Sequence, residues 1–490
     1  MSFNSIHFMC FFPVVVLIYF LIPQKVKYIW LLISSYYFYM SWNPRYAILI
    51  AVSTIVTYLS GILIDKAEKY GAKKIWVALS FVINLAILFY FKYFDFFIDN
   101  LNRVITKFGV TAVTKPFDVL LPVGISFYTF QALSYTMDVY RGELKPEKNI
   151  LKYALFVSFF PQLVAGPIER SKNLIHQISE EHKFDLNRVR HGLLLMLWGF
   201  FMKLILADRL SVIVDEIFNN YERYGGYHVI LAVVFFGFQI YCDFGSYSNI
   251  AIGAAQVMGF DLMKNFEQPY LAVNVADFWR RWHISLTSWF RDYMYIPLGG
   301  NRRGKIRKYI NIFIVFAVSG LWHGAAWSYI IWGSLNGIFQ ITGDLLRPMT
   351  KKIDQFLDHD KNTLSKRIRQ SVITFCLVDF AWLFFRAPSL GVALHMIKSI
   401  KGSLNPWIFF DGRLYELGLD AKDFRVMIVG MLVLFAADLI NEKGISIRTY
   451  IEEQEIWFRW LFYIGAILFV LIYGVYGPMY STSDFIYFQF

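Results

Sequence analysis

Mostly apolar runs of about twenty residues, the length that crosses a hydrocarbon core as a helix, follow one another from one end of this chain to the other. Of its 490 residues, 57% are hydrophobic and 17% charged, where a soluble domain carries about a quarter charged. The excess is not gathered into one anchor, and no polar stretch is long enough for a separate soluble domain. The chain therefore reads as one membrane domain, 1–490. Candidate spans are 6–22, 28–44, 46–64, 75–91, 119–137, 153–168, 191–207, 224–242, 244–260, 309–343 as a pair, 370–385, 426–440 and 460–480. Several are short, which suits re-entrant or tilted segments, and the expectation is an all-α polytopic fold of about eleven to thirteen helices.

The first run has no basic flank, carries Pro13, and ends at Ile22-Pro23-Gln24 without a small-residue cleavage site. It reads as a retained span. Cys10, Cys242 and Cys376 are far apart in apolar segments, which suits buried packing and neither a disulfide framework nor a metal site. No metal ligand set is expected.

A net charge of +12 would suggest nucleic acid in a soluble protein. Here it is concentrated: Arg280 to Lys308 holds eight basic residues and one acid, Asp292. In a membrane protein such a stretch marks a cytoplasmic loop, and no nucleic-acid partner is expected. Lys25 and Lys27, then Lys66, Lys69, Lys73 and Lys74, place the N-terminus outside and the 65–74 loop inside. Stretches 280–308 and 347–369 both go to the cytoplasm, so uncharged 309–343 must enter and return, turning near Gly320-Leu321-Trp322-His323-Gly324. The last span then leaves Phe485 to Phe490 outside, as an aromatic tail expected to dock. Stretches 92–118 and 388–424 mix charge with aromatics and read as interfacial.

Ionisable groups within the bilayer are costly and mark function by default. They are Asp138, Lys203, Asp243, His323, Asp379 and Asp438, and pairing with a neighbouring helix accounts for most aspartates. His323 differs: it lies beside Trp322 at the hairpin turn, and a neutral imidazole is cheap to bury and can take a proton from a hydroxyl. His283 lies in Asp277-Phe278-Trp279-Arg280-Arg281-Trp282-His283-Ile284-Ser285-Leu286, which reads as an aromatic and basic interfacial helix anchored by snorkelling arginines. That reading leaves Pro297-Leu298-Gly299-Gly300-Asn301-Arg302-Arg303-Gly304 unexplained. Its backbone amides and guanidinium forks suit phosphate oxygens. These patterns alone name no reaction.

Motif order does. Asp277 to Gly304, then Ser319-Gly320-Leu321-Trp322-His323-Gly324-Ala325-Ala326-Trp327 and Trp332-Gly333, closely resemble the membrane-bound O-acyltransferase family, in its bacterial alginate O-acetyltransferase branch. In register with these are Leu121 to Tyr128, Phe160 to Ile168, Tyr241-Cys242-Asp243-Phe244, Asn265-Phe266 with Pro269-Tyr270, and Trp382 with Phe384-Phe385-Arg386-Ala387. The resemblance covers nearly the whole chain. It implies helices around a central funnel and pore in the cytoplasmic (inner) membrane. The family's catalytic histidine matches His323 and its second polar position His283, with Asp243, Asn336 and Trp322 in support. Arg280, Arg281, Arg302 and Arg303 would bind the donor, acetyl coenzyme A or another acyl thioester, which is a substrate; no bound cofactor is implied. The acceptor would be a cell-envelope polysaccharide or an extracytoplasmic acetyltransferase partner.

Two departures stand out. Where the family often has Trp-Gly-x-x-His-Gly, this chain has Asn336, which cannot act as a base. Asp243-Phe244 is followed by Gly245-Ser246 in place of Ser-Gly, and the same tight helix break is expected there. The competing readings are D-alanyl transfer to teichoic acid from a carrier protein, a transporter or flippase without acyl chemistry, and an envelope-synthesis scaffold.

Overall fold

The computed structural model describes residues 1–109, 111–113, 121–356, 363–402, 404–476 and 485. Among them every regular element is helical apart from one isolated bridge, Phe266 to Trp282. Five helical stretches are long and apolar enough to cross a membrane: Pro44–Lys66, Tyr70–Phe108, Tyr227–Met258, Leu364–Arg386 and Ile456–Tyr473. The protein is a multi-pass helical membrane protein, with fewer uninterrupted spans than the hydropathy runs suggest. The reason is local: apolar stretches are cut short by turns, as at Ile6–Leu21, or leave the helix part-way, as after Ser158.

The described residues gather into two compact units. One comprises Met1–Met196 with Ile250–Met263, the other Leu197–Asn249 with Lys264–Phe490.

The first unit is held by small residues and hydroxyls, as expected where lipid gives helices no hydrophobic reason to associate. Gly61 lies against the Tyr135 ring, where a Cβ would come within 2.7 Å. Ser53 donates to Asn84 (2.6 Å), Ser80 pairs with Thr136 (3.1 Å), and Tyr153 donates to Thr57 (2.7 Å). Lys27, an expected topology marker, is buried and donates to the His182 carbonyl at 2.8 Å. The expected span 153–168 is not one helix. Ile150–Ser158 is helical, and the chain then turns through Phe159, Pro161 and Pro167. Non-helical backbone at such depth must be satisfied by protein. Here Gln131 and Gln162 both donate to the Phe156 carbonyl, and Ser35 accepts the Phe160 amide.

In the second unit the expected break at Gly245-Ser246 is absent, since Tyr227–Met258 is one continuous helix. A buried carboxylate such as Asp243 needs a partner. Lys203, fully buried, reaches Asp243 at 2.6 Å and Asp208 at 2.9 Å. Ser246 stays within the helix by donating its hydroxyl to the Asp243 carbonyl.

The uncharged 309–343 run forms the expected hairpin: Gly304–His323, an apex at Gly324 to Ala326, then Trp327–Leu345. Glycine makes the two arms touch. A Cβ on Gly320 would lie 2.3 Å from the Tyr329 carbonyl oxygen, and one on Gly333 2.2 Å from that of Phe316. Leu364–Arg386 packs beside the second arm.

Cys242 is buried as expected, but Cys10 and Cys376 are exposed, on outward faces of apolar helices where lipid replaces packing. Of the aromatic tail only Phe485 is described. It is buried, edge-on to Tyr247 at 5.0 Å, with the Lys203 ammonium 4.5 Å from its ring centre. The rest of the tail, residues 114–120 of the expected interfacial stretch and span, and 357–362 of the second basic stretch lie outside the described residues.

Candidate active site

His323 ends the first hairpin arm, and the arm stops there because Gly324 turns extended (φ −165°). The imidazole is buried in an aromatic box. Trp322 and Trp332 lie edge-on, each 5.0 Å away between ring centres, and Phe385 lies at 5.6 Å. Trp332 is in turn stacked on Trp382 at 5.3 Å. The Trp332 indole N–H is buried without an acceptor among the described residues.

His283 reaches the same place from the connection between the long helix and the hairpin. Asn274 caps Val275–Arg281 by accepting the Asp277 amide. That helix ends at Trp282, and His283 adopts a left-handed conformation (φ 44°, ψ 52°) before Ile284–Phe290. The single interfacial helix expected here is therefore two short helices. Its aromatic residues Phe278, Trp279, Trp282, Trp289 and Phe290 point inward and are buried. Such a conformation in a non-glycine residue costs about 1–3 kcal/mol and needs support around it. The 265–267 segment supplies it: Glu267 N–H donates to the Arg281 carbonyl and Ile284 N–H to the Asn265 carbonyl.

Asn265 is the hub of this support. It is 1% exposed. Its Oδ1 accepts from the Ser285 hydroxyl (2.9 Å) and the Ser285 amide (3.3 Å) and lies 3.1 Å from His283 Nδ1. Its Nδ2 donates to Ser248 at 3.0 Å. Phe244 closes one side of the His283 ring at 4.6 Å. Burial pushes the His283 imidazolium pKa down to about 3, so the ring is neutral at physiological pH.

The two histidines, forty positions apart in the sequence (323 − 283), stand with ring centres 6.1 Å apart. Trp322 lies against both, 6.2 Å from His283. The other candidates have defined places. Asn336 accepts the Trp279 indole N–H at 3.2 Å and donates to the Trp332 carbonyl at 2.9 Å, so it frames the box that holds His323. Asp243 is committed to Lys203, one residue from Phe244. Arg281 is half buried and clamped by Asp277 (3.2 Å) and Glu442 (2.6 Å), and Glu442 also binds Arg367 at 2.8 Å. Arg280, Arg302 and Arg303 are exposed. Gly299, Gly300 and Gly304 in the loop carrying Arg302 and Arg303 have positive φ, and Asn311 ties that loop down by donating to the Leu298 and Gly300 carbonyls.

The sequence motifs contain Asn265 without giving it a task, and the charge pattern contains Lys203 without its two partners. Trp332, Trp382 and Phe385 carry a motif signal but no sign that they surround His323.

Two buried imidazoles lined by tryptophan are suited to moving a proton away from water. Comparisons with known proteins specify the chemistry. Residues 146–378 match the model of the membrane-bound O-acyltransferase family. The probable alginate O-acetylase of Pseudomonas putida is 39% identical over 88% of this chain and 86% of its own length. The chain belongs to the membrane-bound O-acyltransferase family. The peptidoglycan O-acetyltransferase of Helicobacter pylori is 33% identical over 80% of this chain and 78% of its own length. The teichoic acid D-alanyltransferase of Bacillus subtilis is 28% identical over 55% of this chain and 70% of its own length. The protein is thus a membrane enzyme of the O-acetyltransferase class.

Proposed function

We propose that the protein moves acetyl groups from a cytoplasmic thioester, acetyl coenzyme A or a similar donor, to hydroxyls of an envelope polysaccharide or of an extracytoplasmic partner that completes the transfer. The enzyme sits in the cytoplasmic membrane with both termini extracytoplasmic. The observation that carries the reading is the His323–His283 pair, buried together with ring centres 6.1 Å apart.

His323 takes the proton of the acceptor hydroxyl as its oxygen attacks the thioester carbonyl carbon. The tetrahedral intermediate then expels the thiolate, and the imidazolium returns the proton to that sulfur. An ester and a free thiol result, and the neutral imidazole is restored. His283 orients the reacting groups. Arg302 and Arg303, exposed on their glycine-rich loop, meet the donor's phosphates, and Arg280 adds to their field. Arg281, held by two carboxylates, sets the position of the helix that leads to His283. Asn336 and Trp322 hold the box around His323, and Asp243, paired with Lys203, fixes the helix from which Phe244 meets His283. D-alanyl transfer is the weaker alternative, since that relative aligns over little more than half of the chain.

The test compares glycan acetyl content and the membrane abundance of the protein in cells carrying His323→Ala. Loss of a general base costs about a hundredfold or more in rate, so acetylation disappears while the protein accumulates. Normal acetylation in that strain would remove this chain as the catalyst. Purified protein that neither binds labelled acetyl coenzyme A nor releases its thiol when an acceptor is supplied would remove that donor.

A further inference from the structure

His283 sits beside the proposed base, and what it can do depends on which ring nitrogen carries its proton. Its neighbours settle this. Asn265 offers one atom to three partners. One of them, the Ser285 backbone amide, can only donate, which identifies the shared atom as the carboxamide oxygen and not the nitrogen. The Ser248 hydroxyl at the opposite end of the carboxamide accepts as readily as it donates and is compatible with this. An oxygen already accepting from Ser285 can meet His283 Nδ1 only if Nδ1 carries hydrogen. In a neutral imidazole Nε2 is then unprotonated, with its lone pair directed away from Asn265.

We infer that Asn265 is a positioning residue that locks His283 as the Nδ1–H tautomer, so that Nε2 faces the reacting centre as a hydrogen-bond acceptor. This rests on the acetyl-transfer reading above and decides between two roles for His283. An unprotonated Nε2 cannot stabilise an oxyanion, which needs a donor. It can accept the O–H of the incoming hydroxyl and hold that oxygen in line for attack. The left-handed backbone of His283 serves the same end, because it lets the ring face Asn265 on one side and the His323 box on the other. Facing the ring are Asn265 and Ser285, both neutral, the apolar Phe244 from the long helix, and Trp322 with His323 from the hairpin. His323 is thus the titratable neighbour on these contacts.

Two measurements on the full-length protein test this. The first is nitrogen NMR of protein labelled with ¹⁵N-histidine in membranes, with the His283 signals identified by their loss in His283→Gln. A protonated Nδ1 and an unprotonated Nε2 are expected from pH 6 to 8. A protonated Nε2 with an unprotonated Nδ1 overturns the inference. This readout needs no turnover, and it stands even if the variants below fail to fold.

The second is the pH profile of acetyl transfer in Asn265→Asp and Asn265→Leu. Aspartate preserves the acceptor but places a negative charge against Nδ1–H, which favours the imidazolium and raises its pKa by about 1–3 units. The acid limb of the profile therefore moves toward alkaline pH, with activity recovered above it. Leucine removes the acceptor and lowers kcat about a hundredfold at every pH, with donor KM little changed. Starting from about 3, the imidazolium reaches only about 4–6, so the comparison is read on the acid limb below about pH 6, and full kcat in well-folded Asn265→Leu overturns the inference. Failure of the catalytic reading and failure of the tautomer lock look different. Normal acetylation in His323→Ala defeats the first whatever the NMR shows, and the wrong tautomer defeats the role of Asn265 while leaving acetyl transfer in place.

Discussion

Replacing Gly320 by alanine adds one methyl group at the narrowest point of the hairpin that carries His323. The new Cβ would lie 2.3 Å from the Tyr329 carbonyl oxygen, 3.1 Å from its carbonyl carbon and 3.3 Å from Gly333 Cα. All three are backbone atoms of the facing arm, so no side chain can swing aside. To restore ordinary contact at about 3.4 Å or more, the arms must part by roughly 1 Å, at a cost of about 1–3 kcal/mol for overpacking. His323 lies less than one turn beyond Gly320, and Trp332, which packs on its ring, adjoins Gly333 on the other arm. Parting the arms therefore separates the base from its box. A displacement of about 1 Å in a catalytic geometry costs on the order of a hundredfold. Gly343→Ala is the control: it lies on the same hairpin, a Cβ there would meet nothing within 4 Å, and alanine is favoured over glycine in a helix by about 1 kcal/mol. The assay is acetyl transfer per unit of membrane-inserted protein, alongside thermal unfolding in detergent. Gly320→Ala is expected to lose most activity and some stability, and Gly343→Ala to keep both. Full activity in Gly320→Ala would refute the claim that the glycine seam positions His323.

Lys203→Met removes the buried cation from between Asp208 and Asp243 and should destabilise the protein by about 3–5 kcal/mol; adding Asp243→Asn should recover part of the loss in a thermal unfolding assay. Charge reversal at both Arg302 and Arg303 should weaken donor binding at least tenfold in equilibrium binding to acetyl coenzyme A, with unfolding temperature unchanged because both are exposed; unchanged affinity would leave them as topology determinants only. The His283 imidazolium is disfavoured in the fold, with a pKa of about 3 against about 6.5 when unfolded. Its contribution to stability is therefore complete above about pH 6.5 and is lost as pH falls toward 3, at about 1.4 kcal/mol per pH unit. Acid unfolding of His283→Gln should lack that slope.

The hairpin is legible in the sequence because uncharged residues between two basic stretches leave one arrangement, and both arms and their turn fall where expected. His323 follows from it. The continuous helix through Gly245 is not legible, because glycine and serine signal a break while the Ser246 hydroxyl is satisfied inside the helix, on the Asp243 carbonyl; nor does any periodicity report Lys203, the partner of Asp243 forty positions away (243 − 203). The split at Trp282 and His283 escapes for a similar reason: an aromatic and basic run looks like one interfacial helix until the 265–267 segment pairs with it. The tryptophans stand out as motif members, yet hydropathy cannot distinguish a tryptophan facing lipid from one facing an imidazole.

Glu442 gives the site a place in time. It lies 161 residues beyond Arg281, and at about 5–20 residues per second of synthesis it follows by roughly 8 to 30 seconds. Both histidines have left the ribosome before the carboxylate that clamps Arg281 and Arg367 exists. Until then the turn leading to His283 is held on one side by Asp277 alone. A chain interrupted anywhere between the end of the family-matched region at residue 378 and Glu442 carries His283, His323 and Asn265 and still lacks the brace. The brace is thus complete only once the helix ending at Glu442 has been made, and a fragment trimmed to the matched region lacks it together with Trp382 and Phe385 of the His323 box.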